Sequence, residues 1–231
     1  MIGVLVPAHD EAATIGRCLR SLQKAARHPG LNGCEVRIVV ALDACSDSTA
    51  AICRELQVET IDLQARCVGA ARAAAAARLL QQGARWLAST DADGTVPPQW
   101  LAAQLDARSD AFCGVVDVAT SGRRSRHLRR LFRRSERWGD GHGRVHGANL
   151  GVSAQAYRAV GGFAALGCGE DVDLVRRLSA AGASVRWAGA PVVTTSARLL
   201  GRARGGFADY LAGLTLEQQS APAVCQLTGT G

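Results

Sequence analysis

The sequence contains almost no lysine and few aromatic residues. Lys24 is the only lysine, so arginine supplies nearly all of the positive charge behind the net charge of +7, and aromatic residues make up 4% of the chain. No window approaches ~18 uninterrupted apolar residues, which argues against a transmembrane helix. No charged start precedes a long apolar segment, so no signal peptide is expected. The sequence therefore predicts a cytoplasmic protein, at most peripheral at a membrane.

Paired cysteine motifs are also missing. The eight cysteines are scattered, none forms a CxxC pair, and no His/Cys cluster has the spacing of a zinc finger. We therefore expect the cysteines to be small buried hydrophobic residues of a protein in a reducing compartment.

The composition is that of a globular protein. The chain has 231 residues, of which 48% are hydrophobic and 20% charged, a balance that argues against global disorder. We expect one domain over residues 1–231, because this length fits a single domain with a substantial core. The arginine excess favours an anionic partner, such as a phosphate, a nucleotide, an acidic lipid surface or nucleic acid.

Apolar strands and helical segments alternate along the first part of the chain. Strands are predicted over residues 2–6, 36–42, 58–63 and 85–90. Helices are predicted over residues 12–26, from the capping residues 46–49 through Leu56, and over 68–82. This alternation indicates an α/β fold with a single, mainly parallel mixed sheet flanked by helices. Later strands are predicted at 111–119, 150–152, 185–187 and 192–194, later helices at 154–160, 170–181 and 207–216, and the final dozen residues read as a loose tail.

Acidic clusters follow three of the predicted strands, at residues 9–11, 43–47 and 91–93. Ligands of parallel sheets bind beyond the carboxyl ends of the strands, so these clusters are expected to share one site. Asp91 and Asp93 are alternate residues, which point to the same side of an extended segment. Two such carboxylates suit a hard divalent ion such as Mg²⁺ or Mn²⁺, which leaves positions open for phosphate. An acidic turn after a strand is the alternative.

Several other polar residues have ordinary structural interpretations. Asp10 and Asp47 each fit a helix cap, and a ligand role is the alternative for Asp47. Asp173 and Arg177 lie four residues apart on a predicted helix, which favours a surface ion pair; contact of Arg176 or Arg177 with a diphosphate is the alternative. His146 lies in a glycine-rich loop and is either an ordinary loop histidine or a further metal ligand.

Residues 122–138 are the most basic part of the chain. They hold eight arginines, with Leu128, Leu131 and Phe132 between them. As a helix, this segment would present a narrow apolar stripe and a broad cationic face. Three interpretations stay open: a solvated arginine-rich helix, contact with an anionic acceptor, and peripheral contact with a membrane.

The acidic clusters belong to an ordered series of motifs. In chain order the segments are Val6-Pro7-Ala8-His9-Asp10-Glu11, Asp43-Ala44-Cys45-Ser46-Asp47-Ser48-Thr49, Gly69-Ala70-Ala71-Arg72, Thr90-Asp91-Ala92-Asp93, and Gly161-Gly162-Phe163 followed by Glu170-Asp171. They resemble the motifs V-P-x-x-N-E, D-x-x-(S/T)-D-x-T, G-x-A-R, D-x-D and G-G-F…E-D of the inverting glycosyltransferases of family 2. The resemblance runs from residue 2 to about residue 195.

This resemblance implies a GT-A fold. A Rossmann-like, nucleotide-sugar-binding half would cover residues 1–95, and an acceptor-side half would cover residues 96–200. A C-terminal helix and tail would follow over residues 201–231. The implied donor is a UDP-, GDP- or dTDP-sugar, and the motifs do not specify its sugar, its base or the acceptor.

The resemblance also implies contacts with the nucleotide. Pro7, His9 and Glu11 would edge the nucleotide pocket. Asp43 would accept a hydrogen bond from the base, and Arg72 would lie near the base or the phosphates.

The reaction would depend on four further carboxylates. Asp93 would bind a divalent cation, Mn²⁺ or Mg²⁺, that holds the donor diphosphate, and Asp91 would lie near the ribose or the metal. Asp171 would be the catalytic base, with Glu170 beside it. The resemblance thus implies a metal-dependent transfer with inversion, in which a carboxylate takes the proton of the acceptor hydroxyl.

Some residues depart from the family pattern. His9 stands where tyrosine is frequent, and Asp10 stands where asparagine is usual. Residues 174–179 read Leu-Val-Arg-Arg-Leu-Ser, whereas the processive polysaccharide synthases carry a Q-x-x-R-W element after the base. We therefore expect no processive synthesis.

Two other functions stay open at this point. A sugar-nucleotide-forming nucleotidyltransferase has a similar sheet, but it usually opens with a glycine-rich basic loop, whereas residues 7–11 are acidic and lack glycine. A non-enzymatic module could instead bind an anionic surface or nucleic acid through residues 122–138. For the enzyme, we expect no nucleic-acid partner and an acceptor that is anionic or lipid-linked.

Overall fold

The computed structural model describes residues 1–120, 122–199 and 205–220. Its strands are β1 (Ile2–Ala8), β2 (Val36–Asp43), β3 (Glu59–Leu63), β4 (Trp86–Ser89), β5 (Ala111–Val118), β6 (Leu150–Ser153) and β7 (Val185–Thr195). Its α-helices are α1 (Ile15–Ala25), α2 (Thr49–Glu55), α3 (Val68–Gln81), α4 (Trp100–Asp106), α5 (Arg123–Ser135), α6 (Ala154–Ala159), α7 (Glu170–Ala180) and α8 (Phe207–Ser220). The predicted tail and Cys225 lie outside the described residues.

The described strands form one mixed sheet in the order β3-β2-β1-β4-β6-β5-β7. β1 pairs in parallel with β2 and β4, β2 pairs in parallel with β3, and β5 pairs in parallel with β7. β6 runs antiparallel to both of its neighbours, β4 and β5. The carboxyl ends of the other described strands therefore meet at one edge of the sheet, and the predicted mainly parallel sheet is confirmed.

Helices cover both faces of this sheet. On one face, Val4 of β1 belongs to a buried cluster with Leu19 and Leu22 of α1. On the opposite face, Leu5 of β1 belongs to a second cluster with Leu79 of α3. Neighbouring residues of a strand point to opposite faces, so a short apolar run serves both clusters. Both faces of the strand are thus apolar, and the polar residues lie in the loops at the edge of the sheet.

One prediction about the strands is wrong. The sequence suggested separate strands at residues 185–187 and 192–194, with a glycine and a proline between them, but the structure has the single strand β7. Its register against β5 shifts between Gly114 and Val116. This irregularity absorbs the intervening residues of β7 without ending the strand.

The first helix begins later than predicted, and Asp10 is not its cap. Helix α1 begins at Ile15, with Thr14 in the N-cap position. Asp10 has a left-handed backbone (φ 51°), and its carboxylate accepts hydrogen bonds from the N–H groups of Ser46 (2.7 Å) and Asp47 (3.1 Å). The hydrogen bond from Ser46 lowers the pKa of Asp10. Asp10 therefore joins the loop after β1 to the loop after β2.

The prediction of buried cysteines is correct for some positions and wrong for others. Cys18, Cys53 and Cys113 are buried free thiols, and burial raises the pKa of each. Cys168 is exposed. It lies in the irregular segment before α7, outside the regular elements of the sheet and helices.

The arginine-rich segment forms the predicted helix, α5, and buried contacts hold it on the sheet. Leu128 and Phe132 are buried. The buried Asp117 of β5 accepts hydrogen bonds from Nε of Arg129 (2.8 Å) and from Nη2 of Arg133 (2.7 Å). Burial alone would raise the pKa of Asp117, but these guanidinium groups hold it below its usual value. Part of the cationic face of α5 is therefore structural.

The last described helix, α8, packs against α5. The rings of Phe207 and Phe132 meet edge to face, with their centroids 5.3 Å apart. The predicted helix over residues 207–216 is confirmed and extends to Ser220. Among the residues that the structure describes, no helix is both long and apolar enough to cross a bilayer.

Candidate active site

A cleft of about 920 Å³ opens at the edge of the sheet where the parallel strands end. Its walls come from the ends of β1, β2 and β4, from the start of α7 and from the segment after β7. The residues predicted for the site all line it: Pro7, His9, Glu11, Asp43, Arg72, Asp91, Asp93, Glu170 and Asp171. For the residues that follow β1, β2 and β4, this convergence follows from the topology, because loops after parallel strands meet at one edge. Arg72 reaches the cleft from α3, and Glu170 and Asp171 reach it from the start of α7.

Arg72 of α3 connects carboxylates from two parts of the chain. Only 5% of its side chain is exposed. Its Nε donates to Oγ of Ser89 (3.1 Å), its Nη2 lies 2.5 Å from Oδ1 of Asp91, and its Nη1 donates to Glu170. A buried guanidinium needs such partners to offset the loss of hydration. Arg72 therefore fixes Asp91, after β4, relative to Glu170, at the start of α7.

Asp171 is the more accessible of the two neighbouring acidic residues of α7. It is half-buried, whereas Glu170 is buried. Oδ2 of Asp171 accepts the N–H of Gly147 (2.6 Å), and Oδ1 accepts the N–H of Val172 (2.8 Å). These hydrogen bonds fix the orientation of the side chain. Asp171 therefore presents a hydrogen-bonded carboxylate to the cleft.

Asp43 shapes another wall of the cleft. Its carboxylate accepts hydrogen bonds from three consecutive N–H groups, those of Ala65 (2.7 Å), Arg66 (2.8 Å) and Cys67 (2.7 Å). Its backbone carbonyl accepts a hydrogen bond from Nδ1 of His9 (2.7 Å). Asp43 thus holds the loop after β3 in place, and the hydrogen bond to a nucleotide base stays a prediction.

Arg198 lies across two of the predicted carboxylates, although sequence analysis did not select it. Its Nη1 lies 2.7 Å from Oε1 of Glu11, and its Nη2 lies 3.2 Å from Oδ2 of Asp93. The second oxygen of Glu11 accepts from Oγ1 of Thr14 (2.8 Å), and the second oxygen of Asp93 accepts from Oγ1 of Thr195 (3.4 Å). The guanidinium of Arg198 is thus a counter-ion for two buried carboxylates.

Asp93 lies in surroundings that oppose its negative charge. Burial and the charge of Asp91 raise the pKa of Asp93 to about 6, while Arg198 opposes this shift. A cation would relieve the repulsion, and carboxylate oxygens are the ligands that Mg²⁺ and Mn²⁺ prefer. The carboxylates of Asp91, Asp93 and Glu11 therefore fit a divalent cation in chemical type. Within the described ranges, no group of three or more His, Cys, Asp or Glu side chains is arranged to hold an ion, so a bound molecule would have to supply further ligands.

His146 also borders the cleft. Burial lowers its pKa to about 4, although the charge of Asp171 opposes the shift. Its imidazole is therefore neutral near pH 7, and its ring meets Phe207 edge to face at 6.4 Å. The position suits a ligand or a hydrogen-bonding group, and the ligand role stays a prediction.

Arg177 and Asp47, for each of which a ligand-binding role was the alternative, make structural contacts instead. Arg177 pairs with Asp173 (2.8 Å) and donates to the carbonyl of Gly162 (2.6 Å), so the predicted ion pair is confirmed, and Arg177 does not line the cleft. Asp47 accepts the N–H of Thr49 (2.9 Å) at the start of α2. This contact agrees with its interpretation as a capping residue.

A topological signal could have identified Arg198. Its segment follows β7, whose carboxyl end lies on the same edge as the end of β1. The rule that selected the acidic clusters therefore applies equally to the basic residue after the last strand. Sequence analysis missed it because β7 was divided into two short strands with no assigned direction.

Two solved structures with low sequence identity have the same fold. S. aureus TarS 1-349, solved in complex with UDP-GlcNAc, matches with a TM-score of 0.63 and 16% identity, over 85% of this chain and 58% of that chain. The mannosyltransferase PcManGT from Pyrobaculum calidifontis, solved in complex with GDP-Man and Mn²⁺, matches with a TM-score of 0.62 and 18% identity, over 84% of this chain and 56% of that chain. The present chain thus spans less than two thirds of either protein.

The family comparison covers most of the chain. No curated protein matches the sequence, but the sequence model of Glycosyl transferase family 2 matches residues 3–160. This range includes Glu11, Arg72 and Asp93, whereas Glu170 and Asp171 lie beyond it. Together with the sheet topology and the similarity to TarS and PcManGT, the match confirms the resemblance. The chain belongs to glycosyl transferase family 2 and carries a glycosyltransferase domain with the GT-A fold.

Proposed function

We propose that this protein transfers a sugar, with inversion, from a nucleotide-diphosphate-sugar donor to an acceptor hydroxyl, and that it uses a divalent cation. The observation that carries the proposal is the convergence of Asp91, Asp93 and Asp171 on one cleft. Donor binding is assigned to residues 1–95 and acceptor binding to residues 96–200 of a single domain.

The proposed donor is a UDP-, GDP- or dTDP-sugar. TarS has been solved with UDP-GlcNAc and PcManGT with GDP-Man, which supports this class of donor. Pro7, His9 and Asp43 line the cleft at the ends of β1 and β2, where a nucleotide base would be enclosed. Arg72 is the buried cation nearest to Asp91, which suits contact with the base or the phosphates.

The proposed cation would be held by Asp93, together with Asp91. Mn²⁺ in the PcManGT complex supports this assignment. When bound, such an ion supplies positive charge that stabilises the departing nucleoside diphosphate. Arg198 pairs with both Asp93 and Glu11 and offsets part of their negative charge.

Asp171 is the proposed base that takes the proton of the acceptor hydroxyl. Its carboxylate accepts hydrogen bonds from the N–H groups of Gly147 and Val172. A carboxylate oriented in this way can take the proton of a hydroxyl during the displacement. Glu170, bound to Arg72, supports the site from the adjacent position.

The acceptor is proposed to be anionic or lipid-linked, with peripheral contact between α5 and a membrane. Exposed arginines along this helix support such contact. They are Arg123, Arg124, Arg126, Arg130, Arg133 and Arg134.

Calorimetric titration tests the proposal. UDP-, GDP- and dTDP-sugars are titrated into the protein with and without Mn²⁺, and at least one donor should bind about 10-fold more tightly, or about 1.4 kcal/mol, with the ion. Asp93→Asn should abolish this difference. Asp173→Asn is the matched control, because Asp173 pairs with Arg177 outside the cleft, and it should leave the difference unchanged.

Three results would contradict the proposal. They are failure of every donor to bind, equal affinity with and without Mn²⁺, and release of pyrophosphate from a nucleoside triphosphate. The last result would favour a nucleotidyltransferase.

A further inference from the structure

A second cleft, of about 590 Å³, lies beside the first. Its walls come from α1, the first turns of α5, the segment after β7 and Thr215 of α8. The charged or titratable residues that line it are Arg17, Arg124, His127 and Arg198. No role in donor binding or catalysis has been assigned to Arg17, Arg124 or His127.

The lining of this second cleft has one sign of charge. No aspartate or glutamate is among its described lining residues, whereas carboxylates from several elements line the first cleft. Within the described part of the chain, Arg17 and Arg124 form no ion pair with a carboxylate. Arg129 and Arg133, farther along α5, are instead bound to Asp117. Arg17 and Arg124, two cationic side chains on one cleft without a carboxylate partner among the described residues, favour an anionic ligand.

Apolar residues form another part of the lining. They are Ala119, Leu128, Ala197 and Leu199. An inorganic anion would gain nothing from this surface, whereas a hydrocarbon chain attached to the anion would be removed from water. The second cleft therefore fits a ligand with an anionic head and an apolar tail.

The two clefts share part of their lining. Ser196 and Arg198 line both of them. In the first cleft, Arg198 contacts Glu11 and Asp93. An anion in the second cleft would therefore lie next to the carboxylates proposed to hold the cation. This position suits part of an acceptor that must reach the donor.

We propose that the second cleft binds the phosphate group of a phosphorylated acceptor, with Arg17, Arg124 and His127 around the phosphate. The apolar lining assigns the acceptor to the alkyl phosphates, a class that includes lipid phosphates, and such a molecule would carry the reacting hydroxyl on a part that extends into the first cleft. Assignment of the bound molecule as the acceptor rests on the proposed glycosyl transfer. Phosphate binding itself needs neither donor nor cation.

Binding of decyl phosphate to the full chain, below its micelle concentration and without donor or metal, tests this inference. Arg124→Gln should weaken its calorimetric affinity about 10-fold. Arg126→Gln is the matched control: it removes the same charge from the same helix, and two residues at 100° each put Arg126 on a different face from Arg124. Arg126 is exposed and does not line the cleft, so its variant should bind like the wild type.

Inorganic phosphate is the second ligand and separates two sources of the phosphate group. Tighter binding of decyl phosphate would support an alkyl phosphate, whereas equal affinities would overturn that assignment in favour of a water-soluble phosphate ester. Failure of both ligands to bind, or equal losses in Arg124→Gln and Arg126→Gln, would overturn the site.

A separate titration keeps this inference distinct from the proposed function. Donor with Mn²⁺ should bind to Arg124→Gln as it binds to the wild type. If no donor binds to the wild type, the proposed transfer fails while the result for the phosphate cleft stands.

Discussion

Replacement of Arg198 by glutamine should strengthen the binding of Mn²⁺ in the absence of nucleotide. The guanidinium of Arg198 contacts Glu11 at 2.7 Å and Asp93 at 3.2 Å. A divalent ion that binds Asp93 must therefore compete with a positive charge already at that carboxylate. Glutamine removes the charge and keeps an amide of moderate length at the position.

The expected magnitude follows from these contacts. Unit charges about 4 Å apart interact by about 4 kcal/mol at an effective dielectric constant of about 20. Solvent reaches 35% of the Arg198 side chain, so the net contribution is smaller, about 1.5–3 kcal/mol for a charge-assisted hydrogen bond. Loss of this competition should tighten Mn²⁺ binding by about 10- to 100-fold.

Electron paramagnetic resonance of free Mn²⁺ measures this affinity without any turnover. The titration is best done at pH 8, because burial and Asp91 raise the pKa of Asp93 to about 6 and the loss of Arg198 would raise it further. Arg144→Gln is the matched control: Arg144 lines the same cleft but pairs with Glu136 at 3.2 Å.

Arg198→Lys keeps the positive charge and should therefore bind Mn²⁺ much as the wild type does. The reasoning is refuted if Arg198→Gln, folded by thermal melting, binds Mn²⁺ no more tightly than Arg144→Gln does.

Three further predictions concern catalysis, pH and stability. Asp171→Asn should keep donor affinity within about threefold and lower transfer by about 10²–10⁴, since the amide cannot take a proton; isothermal binding and single-turnover assays separate the two effects. The pKa of His146 in the folded protein, about 4, lies below its unfolded value of about 6.5, so stability should fall by up to about 3 kcal/mol as pH drops from about 6.5 through 4, and His146→Gln should lose less in urea unfolding. Arg72→Met should cost about 3–5 kcal/mol by leaving the buried carboxylate of Glu170 unpaired, whereas Arg37→Met, at an exposed pair, should cost about 1 kcal/mol or less.

The parallel half of the fold was predictable because its sequence signals are local. The apolar runs of β1, β2 and β4 each end in a polar cluster, and helical segments lie between them. This alternation determines strand direction, and strand direction determines which edge carries the ligand site. The acidic clusters after β1, β2 and β4 could therefore be assigned to one site before their distances were known, whereas Arg72, Glu170 and Asp171 were assigned to it only through the resemblance to the family.

The contacts within the cleft were not predictable in the same way. Arg72 meets Asp91 and Glu170, and no periodicity or spacing links residues so far apart in the chain. Asp10 illustrates the opposite error: its spacing suits a helix cap, but its carboxylate binds the N–H groups of the loop after β2. Local propensity was overridden because those N–H groups lie at the same sheet edge and need acceptors.

The arginines of α5 show why charge pattern alone left several interpretations open. Arg129 and Arg133 lie on the turns that face Asp117, a buried residue of β5 that the sequence presents only as one polar position in an apolar strand. Arg124, one turn nearer the start of the helix, instead lines the second cleft. Helical spacing places these residues on the helix, but only the packing of α5 on β5 separates the structural arginines from those that face a cleft.

The shared lining of the two clefts would couple the binding of a phosphate to the binding of a cation. Arg198 carries one positive charge, and its guanidinium contacts both Glu11 and Asp93. A phosphate in the second cleft that draws on the same guanidinium would leave these carboxylates more negative and thereby favour a divalent cation in the first cleft. Because binding free energies are reciprocal, the cation would favour the phosphate to the same degree. Acceptor and cation would then each strengthen the binding of the other although they occupy different clefts, and Arg198 would be the residue through which that coupling acts.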